Sequence, residues 1–170
     1  MAGPVKGAGR ITRLALLTAI ALTIFLAEAQ LPALTAVPGV KLGLANIVTV
    51  YAMFALGPGD ALLVLSSRVF LGAVFSGQMM TLIYSAAGGF LSWCVLCLLR
   101  KLLTGEQIWL ASPVAAVFHN LGQLLAAAAV LRSWAVMAWL PYLIIAAILA
   151  GLFTGVAAQA LLRRLDQIQK

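Results

Sequence analysis

The segment Phe118-His-Asn-Leu-Gly-Gln123 places three hydrogen-bonding side chains inside a stretch that is otherwise almost wholly apolar. His119 and Gln123 are four residues apart, so on a helix they share one face, and Asn120 lies close to it. A polar side chain in such surroundings is costly unless it meets a partner, a cavity or a ligand. The cluster is therefore a candidate binding site, and hydrogen bonding between helices is the alternative.

Arg68 is the second candidate, because it stands near the middle of another apolar stretch. It lies about 12 Å into its predicted helix, and His119 lies at a similar depth of about 13 Å. A mid-membrane arginine faces the interior and pairs with something. An ion pair with Glu28, which is the embedded acid, and capture of an anionic ligand are the two alternatives. Lys41 and Asn46 are predicted to lie nearer the outer surface, so the expected site opens outward and is net positive.

The amino-acid composition predicts the class of protein to which these residues belong. The chain has 170 residues, of which 64% are hydrophobic and 9% charged, whereas soluble domains carry about 25% charged residues. This predicts an all-α integral membrane protein with a single transmembrane domain over residues 1–170. Six stretches are apolar enough to serve as spans, and these are 12–31, 42–57, 60–77, 79–99, 110–131 and 135–162.

The basic residues predict the orientation of the chain. With six spans both termini share one side, and eight of the eleven Lys and Arg residues fall there, against two on the other side and Arg68 in mid-span. Because cytoplasmic loops carry the excess of Lys and Arg, both termini are expected in the cytoplasm. The net charge of +7 is thus explained by topology, and membrane lipid, not nucleic acid, is the expected surrounding. The first span resembles a signal peptide ending in Ala27-Glu28-Ala29, but a retained helix is the simpler expectation.

Small residues recur every four positions on two of the spans, and these are Ala15, Ala19, Thr23 and Ala27 on the first and Gly151 and Gly155 on the sixth. Such smooth faces let another backbone approach closely. Packing within the bundle is the default explanation for each face. Docking of a helix from a different protein is the alternative.

Motifs that would indicate catalysis are missing from the sequence. There is no G-x-x-x-x-G-K-[ST], no G-x-S-x-G and no H-E-x-x-H, so P-loop nucleotide binding and these hydrolase mechanisms are excluded. The four acids are widely separated, which excludes paired-carboxylate catalysis and an Asp-rich magnesium site. Cys94 and Cys97 lack a second ligand pair for a metal. We therefore expect no enzymatic activity, no cofactor and no bound metal.

Three segments together resemble a known family: Val37–Ile47, Ala86-Ala-Gly-Gly89 and His119–Gln123. They are similar to the Gx transporter family, whose members are often labelled heptaprenyl diphosphate synthase component I, and the resemblance covers residues 11 to 165. That family is similar in turn to the substrate-binding S-components of energy-coupling factor transporters. The resemblance implies a six-helix bundle in a bacterial plasma membrane that captures a small molecule from outside. It also implies docking on a transmembrane coupling protein driven by two ATPases.

The resemblance also assigns roles to residues. The family segments nominate five ligand-binding positions, namely Lys41, Asn46, His119, Asn120 and Gln123, to which the burial and charge arguments add Arg68 and Glu28. The spacing of Ala15 and Ala19 matches the docking motif of S-component first helices. The family label implies an alternative function, a non-catalytic membrane accessory of prenyl diphosphate or quinone metabolism. A structural membrane subunit of a redox or flavin-related complex, without a ligand of its own, is a third possibility.

Overall fold

The computed structural model describes residues 7–30, 43–77, 79–103 and 107–168, with side chains described as far as Arg164. These residues contain no strand and form six α-helices, with a 3₁₀ helix (Trp134–Trp139) before the last. The helices are α1 (Ala8–Glu28), α2 (Asn46–Ala55), α3 (Pro58–Ser76), α4 (Met79–Leu102), α5 (Ile108–Leu131) and α6 (Leu140–Ile168). The predicted all-α fold is confirmed.

Five of the six helices are long and apolar enough to cross a membrane, and α2 is shorter than predicted. Its ten residues rise about 15 Å, against a hydrocarbon core of about 30 Å. Gly43 and Gly57, both with positive φ, lie on either side of it, and i to i+3 hydrogen bonds replace the α-helical pattern from Gly43 to Val48. The predicted span 42–57 is therefore corrected to a short helix preceded by tight turns.

The short helix lies on the return path of the chain toward the end of the bundle where α1 begins. The Arg10 guanidinium contacts the Asp60 carboxylate, with Nε 3.0 Å from Oδ1, so the N-terminal ends of α1 and α3 lie together and these two helices are parallel. The indole Nε1 of Trp93 donates to the carbonyl of Pro58 at 3.0 Å, which brings the second half of α4 back to the same end. The chain between α1 and α3 must therefore return through α2.

Two apolar clusters show how the remaining helices run. One cluster contains Leu96 of α4, Ile108 of α5 and Ala158 of α6. The other contains residues from the opposite ends of these helices, including Leu124 of α5 and Leu143 of α6. Consecutive helices therefore alternate in direction from α3 to α6. Both ends of the described chain thus lie at the same end of the bundle, as an even number of crossings requires, and this end is called the terminal end below.

Aromatic side chains stand near both ends of the helices. Trp93 and Trp109 lie toward the terminal end, where the backbone N–H of Trp109 donates to Gln159. Trp134, Trp139 and Tyr142 lie at the other end, largely exposed. Two aromatic belts are typical of a protein that meets a membrane interface on each side.

Helix α5 is the most buried of the five long helices, and α1 is the least buried. Helix α6 approaches α5 through its two predicted small residues, because a Cβ atom at Gly155 would lie 2.7 Å from the carbonyl oxygen of Trp109 and one at Gly151 would collide with the backbone of Pro113. This confirms that the glycine stripe of α6 packs inside the bundle. The alanine stripe of α1 does the opposite, since Ala15, Ala19, Thr23 and Ala27 are all exposed.

Candidate functional site

The polar cluster on α5 lies between the two apolar clusters. Ala115 belongs to the cluster near the terminal end and Leu124 to the other, and His119, Asn120 and Gln123 fall between them with no more than 2% of their surface exposed. Burial on this scale demands hydrogen-bond partners for the polar atoms. The structure supplies partners for only some of them.

Helix α4 crosses α5 at the level of this cluster, and two glycines permit the contact. A Cβ atom at Gly88 would lie 2.5 Å from the carbonyl oxygen of His119 and 2.8 Å from Cγ of Gln123. A Cβ atom at Gly122 would lie 2.8 Å from the carbonyl oxygen of Ala87. Because the backbones meet directly, the position of the His119 ring is set by the crossing of the two helices.

The hydrogen bonds of the cluster run partly within α5 and partly to α6. Nε2 of His119 and Nε2 of Gln123 are 3.0 Å apart, and Nδ2 of Asn120 donates to the carbonyl of Leu143 at 3.1 Å. Oδ1 of Asn120 has no hydrogen-bond partner among the described residues, and Nδ1 of His119, which forms no bond of standard geometry, faces the backbone of Gly88. The sequence allowed hydrogen bonding between helices as an alternative to a binding site. Such bonding satisfies some polar atoms of the cluster and leaves others without a partner.

Glu28 joins the end of α1 to the turn that precedes α2. Its two carboxylate oxygens accept the backbone N–H groups of Gly43 at 2.7 Å and Leu44 at 3.0 Å. Gly43 in turn lies against the cluster, because a Cβ atom there would be 2.9 Å from Cδ2 of His119 and 3.0 Å from Nδ2 of Asn46. This glycine brings α1, α2 and α5 together.

Arg68 on α3 is the largest of the fully buried side chains, with 1% of its surface exposed. Its guanidinium carbon lies 5.9 Å from the centroid of the Phe25 ring, within the range of a cation–π contact. The Phe25 ring fits beside α3 because residue 72 is glycine, and a Cβ atom at Gly72 would lie 2.7 Å from it. The guanidinium, carried by α3, thus lies beside the Phe25 ring of α1.

The ion pair that the sequence allowed between Arg68 and Glu28 is not formed at contact distance. Glu28 and His119 lie within electrostatic range of Arg68, but the contact ion pair of the described residues is between Arg10 and Asp60. The Glu28 carboxylate accepts hydrogen bonds from the backbone N–H groups of Gly43 and Leu44.

Several buried polar atoms around Arg68 and Asn46 have no hydrogen-bond partner among the described residues. These are Nε and Nη2 of Arg68, both amide atoms of Asn46, and Oγ1 of Thr49. Leaving one buried donor or acceptor unsatisfied costs about 1–3 kcal/mol, and more for a charged group. These unsatisfied atoms make the side chains that carry them candidates for binding a polar ligand. Arg68, Asn46, Thr49 and His119 are called the polar site below.

The sequence profile of one protein family, heptaprenyl diphosphate synthase component I, matches residues 17–161 of the chain. The chain belongs to this family. The resemblance seen in the sequence is thereby confirmed, and the further similarity to S-components stays a prediction that the fold is compatible with. No curated protein and no solved structure matches the chain significantly. The matched range includes the whole polar site.

In this member of the heptaprenyl diphosphate synthase component I family, the predicted site residues fall into four groups. Helices α1, α2, α3 and α5 bring Glu28, Asn46, Arg68 and His119 together, with Gln123 bonded behind the imidazole. Asn120 turns toward α6 instead. Lys41 lies outside the described residues. Ala15 and Ala19 lie on the exposed face of α1.

Several residues of the polar site and its supports were missed in the sequence, namely Phe25, Gly43, Thr49, Gly72 and Gly88. Thr49 could have been found, since it lies three residues after Asn46 on the same helix. The family segments already contained Gly43 and Gly88, but only the structure shows that side chains pack against them.

Two buried hydroxyl groups lie nearer the terminal end than the polar site. Ser112 of α5 and Thr154 of α6 share a buried hydrogen bond of 2.9 Å nearer the terminal end. Thr154 also donates to the carbonyl of Gly151. Small hydroxyl groups can satisfy themselves locally in this way, which makes them inconspicuous in an apolar sequence.

Proposed function

We propose that this protein is the substrate-binding subunit of a small-molecule importer, and that it holds an anionic ligand while partner proteins supply the energy. The observation that carries the proposal is the polar site itself. Arg68, Asn46, Thr49 and His119 come from three helices, are buried, and keep hydrogen-bonding atoms that no described residue satisfies. A membrane protein that needed only packing would not keep so many costly atoms in one place.

The charge of the site supports an anionic ligand. The Glu28 carboxylate is bound by backbone N–H groups, whereas two nitrogens of the Arg68 guanidinium are unsatisfied. Arginine presents its donors in a planar fork that matches carboxylate and phosphate groups. A ligand that brings such a group would complete both the charge and the hydrogen bonds of Arg68.

The position of the site fits capture from outside the cell. Arg10 and Asp60 mark the terminal end, whereas Glu28, at the opposite end of α1, binds Gly43 beside the His119 ring of the polar site. The predominance of basic residues at the terminal end favours a cytoplasmic location for both termini. In a bacterial plasma membrane the polar site would then face outward.

The face of α1 supports docking on an energy-coupling protein. Within the described residues α1 packs against α2 and α3, and its alanine stripe is exposed. The hydroxyl group of Thr23 donates to the carbonyl of Ala19 in the same helix at 2.9 Å, so the stripe presents a smooth apolar surface. Such surfaces suit close packing with a second transmembrane helix.

Two experiments test this function. Mass spectrometry of small molecules that co-purify with the protein separates a binding subunit, which retains a specific compound, from a purely structural subunit, which does not. Affinity purification from the native host tests the coupling: Ala15→Leu and Ala19→Leu should each lose a transmembrane partner associated with ATPases. Ala160→Leu, an exposed alanine of α6, should keep that partner. Retention by both α1 variants would exclude docking through this face.

The family description favours a second candidate, a non-catalytic membrane accessory of prenyl diphosphate metabolism. The chain carries no Asp-rich motif for magnesium diphosphate, so any synthase activity would belong to a partner. Binding of a prenyl diphosphate by the purified protein, in preference to other anions, would support this candidate over the importer.

A further inference from the structure

We infer that the ligand is a small carboxylate which also carries an amide-type N–H and C=O pair, and that Arg68 and Asn46 recognise these two groups. The inference rests on the proposed binding function and narrows it to a chemical class. The evidence is the identity of the unsatisfied atoms in the two side chains, and not their burial alone.

The unsatisfied atoms of Arg68 form one complete edge of the guanidinium. Nε and Nη2 both lack a partner among the described residues, and the covalent geometry of arginine points one N–H of each in the same direction. Two parallel N–H donors of this kind bind the two oxygens of a carboxylate in bidentate fashion. The Phe25 ring lies 5.9 Å from the guanidinium carbon and restrains its orientation. The edge is thus preorganised for a planar anionic group.

The unsatisfied atoms of Asn46 require a group that both donates and accepts. Its Nδ2 and Oδ1 both lack partners and Asn46 is only 5% exposed. Exchanging the oxygen and nitrogen positions of the amide changes nothing, because neither atom is bonded. The complement of a side-chain amide is a second amide-type edge, which presents C=O to Nδ2 and N–H to Oδ1. Thr49, three residues along the same helix, adds one more unsatisfied hydroxyl.

Gly43, Glu28 and His119 connect Asn46 with Arg68. Gly43 lies against both Asn46 and the His119 ring, Glu28 holds Gly43, and both His119 and Glu28 lie within electrostatic range of Arg68. We therefore place the ligand beside His119, between α2 and α3.

A prenyl diphosphate matches this arrangement poorly. Its ionised head group carries only acceptors, so the carbonyl oxygen of Asn46 would stay buried without a donor, which is unfavourable. Arg68 is also the only cation of the polar site within the described part of the chain, and it supplies a single positive charge. A carboxylate with a single negative charge suits that balance better than a multiply charged diphosphate.

The test uses the purified full-length protein in detergent and four probes: N-acetylglycine, propionate, inorganic diphosphate and farnesyl diphosphate. N-acetylglycine carries a carboxylate and an amide, and propionate carries only the carboxylate. Competition and calorimetry should show N-acetylglycine binding at least about tenfold more tightly than each of the others, as expected when about 1.4 kcal/mol of hydrogen bonding is added. Tighter binding of either diphosphate, or no binding of N-acetylglycine, would overturn the inference.

Variants separate the two recognition elements. Asn46→Ala should lower the affinity for N-acetylglycine about tenfold and leave the weak binding of propionate unchanged, whereas Arg68→Lys should lower both, because lysine keeps the charge and loses the bidentate edge. Equal losses for the two probes in Asn46→Ala would contradict the assigned role of Asn46. Asn46→Asp, which is nearly isosteric, provides a second variant if the alanine variant misfolds. It should weaken N-acetylglycine more than propionate, because the new charge repels both probes but only N-acetylglycine also loses a hydrogen bond.

A different result would contradict the proposed binding function itself. If the protein binds a diphosphate, or if a co-purifying compound lacks the amide, the protein is still a binding subunit and only the ligand class is wrong. If no small molecule co-purifies and no probe binds, both the ligand class and the proposed function are wrong.

Discussion

The backbone of Gly88 lies against the backbone of His119, so closely that a Cβ atom at position 88 would stand 2.5 Å from the carbonyl oxygen of His119. The crossing of α4 and α5 is therefore a contact between main chains, with no side chain between them. The imidazole that borders the polar site is positioned by this contact. Any residue larger than glycine at position 88 must push α5 or rotate it.

Substituting Gly88 by alanine should therefore disturb both the fold and the site. We expect Gly88→Ala to lower the free energy of unfolding by about 1–3 kcal/mol through overpacking, and to weaken ligand binding through displacement of His119. Thermal unfolding in detergent and calorimetry measure the two effects. Gly59→Ala is the matched control, because a Cβ atom there meets nothing within 4 Å, and it should leave affinity unchanged without lowering the free energy of unfolding. A stable Gly88→Ala variant with normal affinity would contradict the close crossing.

Glu28 was predicted as a ligand-binding residue, and its hydrogen bonds suggest that it acts mainly by holding Gly43 and Leu44. Glu28→Gln should lower stability by about 1–3 kcal/mol, because a glutamine presents an N–H group to one of the two backbone donors. Affinity should fall in step with stability when both are measured across a temperature series. Loss of affinity in a fully stable Glu28→Gln protein would show instead that the carboxylate contacts the ligand.

The contact between Phe25 and Gly72 predicts that a second substitution will partly reverse the effect of a first. Gly72→Ala should destabilise the protein, since the new Cβ atom would collide with the Phe25 ring. Adding Phe25→Leu should restore part of the stability by removing ring atoms. The double variant should still bind ligand several-fold more weakly than the native protein, because the cation–π contact with Arg68, of the order of 0.5–2 kcal/mol, is lost. Full recovery of binding in the double variant would show that the aromatic ring has no part in orienting Arg68.

The hydrogen bond between Ser112 and Thr154 lies away from the polar site and should affect stability alone. A double-mutant cycle with Ser112→Ala and Thr154→Val should give a coupling of about 0.6 kcal/mol, the average for such bonds between membrane helices. Ligand affinity should be unchanged in all three variants. A change in affinity comparable with that of Asn46→Ala would mean that the site extends further toward the terminal end.

The sequence predicted the class of fold because composition and span length are strong physical signals in a membrane protein. It also predicted the burial of Arg68 and His119, since mid-membrane polar residues face the protein interior. The length of α2 was overestimated, because an apolar composition does not reveal that the chain turns tightly from Gly43 to Val48. A hydropathy pattern measures burial and gives no direct information on backbone conformation.

The partners of individual atoms could not be predicted from the sequence. The charges of Glu28 and Arg68 suggested an ion pair, but the backbone N–H groups before α2 occupy the carboxylate. That competition depends on how the end of α1 meets the turn at Gly43, which is a tertiary contact between residues 15 positions apart. The same holds for Gly72 and Gly88, whose importance lies in what packs against them.

The central claim is that Arg68 binds an anionic ligand, and mass spectrometry of the native protein and of Arg68→Gln, purified in parallel from the same host, tests it most directly. The Arg68→Gln protein must first match the native protein in size-exclusion profile and helix content. We predict an anionic small molecule that co-purifies with the native protein and is reduced at least tenfold in the variant. The same compound retained equally by both folded proteins, or no bound compound in either, would contradict the claim.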